Sequence, residues 1–215
     1  MEHKQVGTTS TTTRSLLLAD LVEMIESRGL SRPLWWAEVV LKIMLVPRVR
    51  AVCLFRLSQY FARRRMMPIA LFVQGRALRG SGAEISPSAQ IGPGLILMHS
   101  VGVVIGPEVR IGAGARIYHG VTVGDGRLQG QPTIGDHVTL GAGAGVLGGV
   151  TLGDRVYVGS GARVTRDLPD DAVALAPQGT VRQRRAGLIP RLDALAEEGA
   201  ADAGADVSAG RPALP

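Results

Sequence analysis

Aromatic residues are scarce, only 4% across 215 positions, which excludes a core anchored on large rings. The single cysteine, Cys53, excludes an intramolecular disulfide and suits a reducing, cytoplasmic setting. A long apolar run is also missing. The longest, Leu34 to Val46, is interrupted by Glu38 and Lys42 and falls short of the ~20 residues that a membrane-spanning helix needs. It is expected as a packed helix. Met1 to Arg14 is polar and Thr-rich, without the apolar stretch of a secretory signal. No nucleic-acid motif accompanies the basic residues, so no nucleic-acid partner is expected.

What the chain has instead is glycine, 29 residues of it, and a period. Ile105, Ile111, Ile117 and Val123, then Ile134, Leu140, Val146, Leu152, Val158 and Val164, fall on a six-residue beat. A fixed short period means stacked units that share one continuous core, so the beat predicts a parallel β-helix of hexapeptide repeats, mainly β in class. Gly112, Gly135, Gly141 and others follow the anchors, where a corner needs positive φ or room that a Cβ would fill. A second inward row, Val109, Ala115, Val121, Val138 and their equivalents, stands four residues after each anchor. Ile85, Ile91 and Leu97 keep the same step before a two-residue slip.

Apolar spacing predicts helices over Leu16 to Ser27, Val49 to Arg63 and Ile69 to Leu78, with Pro47 and Pro68 as boundaries. The expected organisation is a disordered segment 1–14, a helical domain 15–80, the β-helix 81–168, an extension 169–195 and a disordered tail 196–215. Residues 1–80 carry 13 Lys/Arg against 5 Asp/Glu, whereas 81–215 carry 11 against 13. The basic run Arg63 to Arg65 is read as a solvated helix end, with weak peripheral contact to anionic lipid as the alternative.

His99 and His119 each stand two residues after an anchor, and their separation of 20 equals one 18-residue turn plus the slip. The spacing predicts that they stack on one face. Imidazole exchanges protons near neutral pH, so His99 is the candidate general base toward an acceptor hydroxyl. His137, beside Asp136, is read as a corner residue. The second break, Gly124 to Thr133, must leave the prism as a loop, with Arg127 and Gln131 as its polar groups. It is expected to wall the site beside His119.

Leu97-Met-His-Ser-Val-Gly-Val-Val-Ile-Gly106, Ile117-Tyr-His-Gly-Val-Thr-Val-Gly124, Pro132-Thr-Ile-Gly and Leu140-Gly-Ala-Gly-Ala144 resemble the serine acetyltransferase family of hexapeptide-repeat enzymes. The resemblance runs from about Val49 to Val181 and includes Glu84-Ile-Ser-Pro at the head of the prism. It implies a left-handed β-helix, a homotrimer whose pairing into a dimer of trimers stays open, and acetyl transfer from acetyl-CoA to a small hydroxyl-bearing acceptor. It implies His99 as general base, and a groove between subunits for the pantetheine arm. Ala142 and the segment Gly159 to Ala162, with Ser160, match the coils that line acetyl-CoA, while charge alone marks Arg163, Arg166, Arg182 or Arg185 as a phosphate ligand. Glu84, His119, Arg127 and Gln131 are the acceptor-site candidates.

The family carries an acidic residue before the catalytic histidine, where this chain has Met98. It carries an Arg-His pair where this chain has Gly130-Gln131. Those groups grip the charged ends of an amino acid, and an unpaired buried charge costs several kcal/mol. The departures favour a saccharide or other specialised hydroxyl, as in exopolysaccharide-type members of the family, with free serine as the alternative. No metal is expected: a γ-type carbonic anhydrase shares the prism but needs three zinc histidines, and His99, His119 and His137 lack that spacing. A non-catalytic β-helix scaffold is the alternative of another class.

Overall fold

The computed structural model describes residues 12–24, 32–126 and 130–177. The chain divides at Pro177, and the unit Gln178–Pro215 lies outside the described residues, as do Arg127, Arg182 and Arg185.

Four helices open the described chain: α1 (Thr13–Met24), α2 (Arg32–Leu45), α3 (Pro47–Arg63) and α4 (Met67–Ser81). Thr13 and Arg14, expected in a disordered segment, are the first turn of α1. Pro47 and Pro68 stand in the first turns of α3 and α4, where a missing N–H costs no hydrogen bond. The segment Leu34 to Val46 is helical as far as Leu45, but it is not the packed helix expected. Only Val39 is fully buried, with Trp35, Ile43 and Val46 partly so, while Leu34, Trp36, Val40, Leu41, Met44 and Leu45 are exposed. No described helix is long and apolar enough to cross a membrane.

The prism follows, turn by turn. The first turn holds β1 (Glu84–Ile85), β2 (Gln90–Ile91) and β3 (Ile96–Leu97); the second holds β4 (Val104–Ile105), β5 (Arg110–Ile111) and β6 (Arg116–Ile117). The third holds β7 (Thr122–Gly124), β8 (Thr133–Ile134) and β9 (Thr139–Leu140); the fourth holds β10 (Gly145–Leu147), β11 (Thr151–Leu152) and β12 (Tyr157–Val158). β13 (Arg163–Val164) and β14 (Val173–Ala174) complete it. Every pairing is parallel, and the strands form three faces in the orders β1-β4-β7-β10-β13, β2-β5-β8-β11 and β3-β6-β9-β12-β14. Each anchor from Ile85 to Val164 is buried, and so is the second inward row.

The β-helix does not stop at residue 168. Leu168 bridges to Leu152 and β14 pairs with β12, so the last turn advances 16 residues where the turn before advanced 18. That shortening hides the turn from a six-residue count.

Glycine serves the corners in two distinct ways. Several glycines directly after anchors, among them Gly112, Gly135 and Gly141, have ordinary φ but no room: a Cβ on Gly135 would lie 2.7 Å from the carbonyl carbon of Gly153 in the next turn. Positive φ comes two residues later, as at Gly120 and Gly143, both at 67°. One corner is also laced by carboxylates. The Asp136 side chain accepts from Ala113 N–H at 2.7 Å, Asp154 from Asp136 N–H at 2.8 Å and Asp170 from Asp154 N–H at 2.9 Å. His137 stands on this corner at φ 56°, its ring over Gly114, as a corner residue should.

Helices and prism share one core, clasped by a buried ion pair. Arg56 of α3 and Asp20 of α1 are both fully buried, with Nε to Oδ2 at 2.7 Å and Nη2 to Oδ1 at 3.2 Å. Arg56 also donates to the carbonyls of Ile91 at 2.8 Å and Gly92 at 2.6 Å and to Gln59 Oε1 at 3.2 Å. A guanidinium has five N–H donors, and these bonds use all of them. Asp20 accepts in addition from Leu95 N–H at 2.9 Å. Burial pushes the Asp20 carboxyl up, and the Arg56 guanidinium and the backbone N–H groups draw it back.

Candidate active site

Three corners run down the prism, and His99, His119, Ala142, Gly159 and Ser160 gather on one. Between the third face and the first, the chain turns through Met98-His99, then Tyr118-His119, then Gly141-Ala142, then Gly159-Ser160. Backbone bonds fix the register: Met98 N–H to Ile117 at 2.8 Å, Tyr118 N–H to Leu140 at 3.0 Å and Gly141 N–H to Val158 at 2.7 Å. Gly143 N–H donates to His119 and Gly161 N–H to Ala142, both at 2.8 Å. His99, His119, Ala142 and Ser160 therefore stack in one column, on rungs about 4.8 Å apart.

The two histidines meet at the head of the column. Their ring centroids are 5.6 Å apart and the rings lie edge to face at 69°, both exposed to solvent. Below them the side chains shrink to hydrogen, methyl or hydroxymethyl at Gly141, Ala142, Gly143, Gly159, Ser160 and Gly161. A Cβ on Gly141 would stand 2.7 Å from Ser160 N, so glycine is required there by the approach of the next turn. The result is a bare strip of backbone leading away from two imidazoles. Such a strip accepts a thin, extended polar chain, and the imidazoles can accept a proton at its end.

The first turn of this corner carries the two-residue slip and is fastened to the helices. Ser100 Oγ donates to Ser81 O at 2.7 Å, and Gly102 N–H to Gly82 O at 2.9 Å. Arg48, near the start of α3, donates from Nη1 to Met98 O at 3.3 Å. Nothing in the sequence marks Arg48, because its partner is a backbone carbonyl.

The other candidates are more dispersed. Glu84 is exposed on the first face, and register carries its outward row through Val104, Thr122 and Gly145 to Arg163, four rungs away. The Arg163 side chain leans back over Gly145, its Nη1 3.0 Å from where a Cβ would sit. Arg166 is exposed beyond β13. The loop leaves the corner between the first and second faces, so it flanks the opposite edge of the first face from His99 and His119. The described ends of the loop, up to Gly126 and from Gly130, lie at that edge rather than beside the histidine column of the same chain. Gln131 folds against the prism, with a buried Oε1 that lacks a hydrogen-bond partner and lies 3.3 Å from where a Cβ on Gly106 would be. A separate cleft of about 760 Å³ lies between α1 and the third face, lined in part by Leu18, Glu23, Arg116 and His137. Among the described residues no group of three His, Cys, Asp or Glu is placed to hold a metal ion.

Comparison with known proteins follows the same lines. The family model described as bacterial transferase hexapeptide (six repeats) matches residues 131–166, and that described as hexapeptide repeat of succinyl-transferase matches 102–126. The chain is 42% identical to a serine acetyltransferase of Helicobacter pylori over 136 residues, covering 62% of this chain and 80% of that protein. Among solved structures it is similar to serine acetyltransferase isoform 3 of Entamoeba histolytica in complex with cysteine, with a TM-score of 0.68 and 26% identity. That match covers 82% of this chain and 63% of the Entamoeba chain. It is also similar to the Brucella abortus serine acetyltransferase in complex with coenzyme A, with a TM-score of 0.66, 26% identity and coverage of 78% and 66%. The chain thus spans less than two thirds of these two structures. With both repeat models matched inside the prism and four fifths of the Helicobacter protein covered, the chain belongs to the serine acetyltransferase family of hexapeptide-repeat transferases.

Proposed function

We propose that the protein is an acetyl-CoA-dependent O-acetyltransferase that works at the histidine corner, with L-serine as its acceptor. The observation that carries this reading is the His99–His119 pair at the head of a strip of glycine, alanine and serine backbone. The strip suits the pantetheine arm of acetyl-CoA, with Ala142, Gly159 and Ser160 beneath it and Arg163 near its far end. The thioester then ends beside the imidazoles.

His99 takes the proton from the acceptor hydroxyl as its oxygen attacks the thioester carbonyl carbon. The tetrahedral oxyanion collapses with cleavage of the carbon–sulfur bond, and the histidine returns its proton to the departing thiolate. His119 lines the acceptor side. The loop and Gln131 flank the far edge of the first face, so one prism supplies only one wall of the groove. This supports a trimer in which a neighbouring prism supplies the other.

The acceptor moves from the saccharide favoured by Met98 and Gln131 to serine because a relative 42% identical is a serine acetyltransferase. The saccharide stays as the second reading, supported by an apolar Met98 where the family has an acid and by a neutral Gln131. Replacing Ala142 with Leu puts bulk on the strip. The expected result is a rise of roughly 5–150-fold in the KM for acetyl-CoA, since overpacking costs about 1–3 kcal/mol, with the acceptor KM unchanged. Steady-state kinetics with both substrates varied checks this, and an unchanged acetyl-CoA KM would remove the strip from the donor site.

A further inference from the structure

Beside this site stands a cation that the reaction as described does not use. Arg48 is half-buried and makes one hydrogen bond among the described residues, from Nη1 to the Met98 carbonyl at 3.3 Å. That carbonyl belongs to the peptide bond leading into His99. Among the described residues Arg48 makes no ion pair. The contrast with Arg56 is informative, for there all five donors are matched and the charge is paired. Four N–H donors of Arg48 have no such match.

We propose that Arg48 is the specificity-determining cation of the acceptor site and selects hydroxyl acceptors that carry a carboxylate. This rests on the acetyltransferase reading of the histidine corner. A guanidinium presents a planar fork that matches a carboxylate with two parallel bonds. The bond to Met98 holds one edge of the fork against the corner and leaves donors for a ligand. Met98 at this corner is apolar, so Arg48 is the charged group bonded to the corner and its sign sets the preference. The acetyl-CoA phosphates are poor competitors for it, because the thioester must lie at the histidines and the phosphates lie toward the opposite end of the strip. The site therefore recognises a carboxylate without a matched partner for an ammonium group. L-Serine and a hydroxy acid such as D-glycerate both qualify.

The test uses the full chain and follows CoA release with matched acceptors: L-serine and D-glycerate, which carry the carboxylate, and serinol and glycerol, which do not. Wild-type protein is expected to prefer the carboxylate in each pair. Arg48→Gln is expected to raise the KM for the carboxylate acceptors by roughly 10–100-fold, the worth of a hydrogen-bonded charge. Its kcat, its acetyl-CoA KM and its rates with the neutral acceptors should stay near wild type, and Arg48→Lys should recover part of the loss. A parallel fall with all four acceptors would assign Arg48 a purely structural role and overturn the proposal. So would a wild-type preference for the neutral acceptors, which would leave the acetyltransferase reading standing. Silence with every acceptor, and with a sugar panel, would overturn that reading and this one together.

Discussion

Replacing His99 with Ala is expected to lower kcat by roughly 10²–10⁴-fold while the protein stays folded and the KM for acetyl-CoA changes little. The fold should tolerate the change because the ring is exposed and no described hydrogen bond of the prism passes through it. The backbone of this corner is held instead by Met98 N–H to Ile117 O and by Ser100 to Ser81 O. The loss should fall on chemistry, because the imidazole is needed while the hydroxyl oxygen becomes a nucleophile. His119, 5.6 Å away, gives the control. If His99 is the base, His119→Ala should chiefly alter the acceptor KM. Steady-state rates for both variants, alongside a thermal melt of each, check the pair. Retained turnover in His99→Ala would remove His99 from the mechanism.

The second large effect lies in the clasp between the helices and the prism. Arg56→Ala is expected to destabilise the protein by about 3–5 kcal/mol, because it strands the Asp20 carboxylate in a fully buried site. It also leaves the Ile91 and Gly92 carbonyls without their donors. Asp20 would then be protonated at the pH of the experiment or drive the helices from the prism. Chemical denaturation followed by circular dichroism reads the loss. An Asp20→Leu, Arg56→Met double variant should recover much of it, since two apolar groups leave no buried charge behind. An Arg56→Ala protein within about 1 kcal/mol of wild type would mean that water reaches the pair, contrary to its full burial.

The prism was legible because its physics is periodic. Each anchor from Ile105 to Val164 lies within the strand that the beat assigns to it, and each is buried. The histidine stack was legible for the same reason: two residues past an anchor is the same corner on every turn. The final turn was not, because two residues drop out and its anchor is the small Ala174. The edge at which the loop's described ends stand needs one further step of counting. The loop follows Val123, one repeat and so one corner beyond Ile117, which sets those ends across the first face from His119.

Other features leave little trace in a linear chain. Asp20 and Arg56 are charges on apolar helix faces, which marks each as unusual, but 36 residues separate them and nothing local pairs them. Arg48 binds a carbonyl, which has no residue signature. The exposed apolar side of α2 reads in sequence as core because hydropathy reports a preference for burial, and the described chain covers only one side of that helix.

The most direct test of the histidine corner as an acetyl-transfer site is thiol release from acetyl-CoA by the wild-type protein, with L-serine and a panel of sugars and nucleotide-sugars as acceptors. Cys53 interferes little with a thiol-reactive dye, because burial pushes its thiol up to about 11 and leaves little thiolate at assay pH. The predicted result is release that depends on both acetyl-CoA and L-serine and that disappears in His99→Ala. Release with a sugar alone would keep the corner and change the acceptor. Absence of release with every acceptor would contradict the account and return the prism to a non-catalytic scaffold.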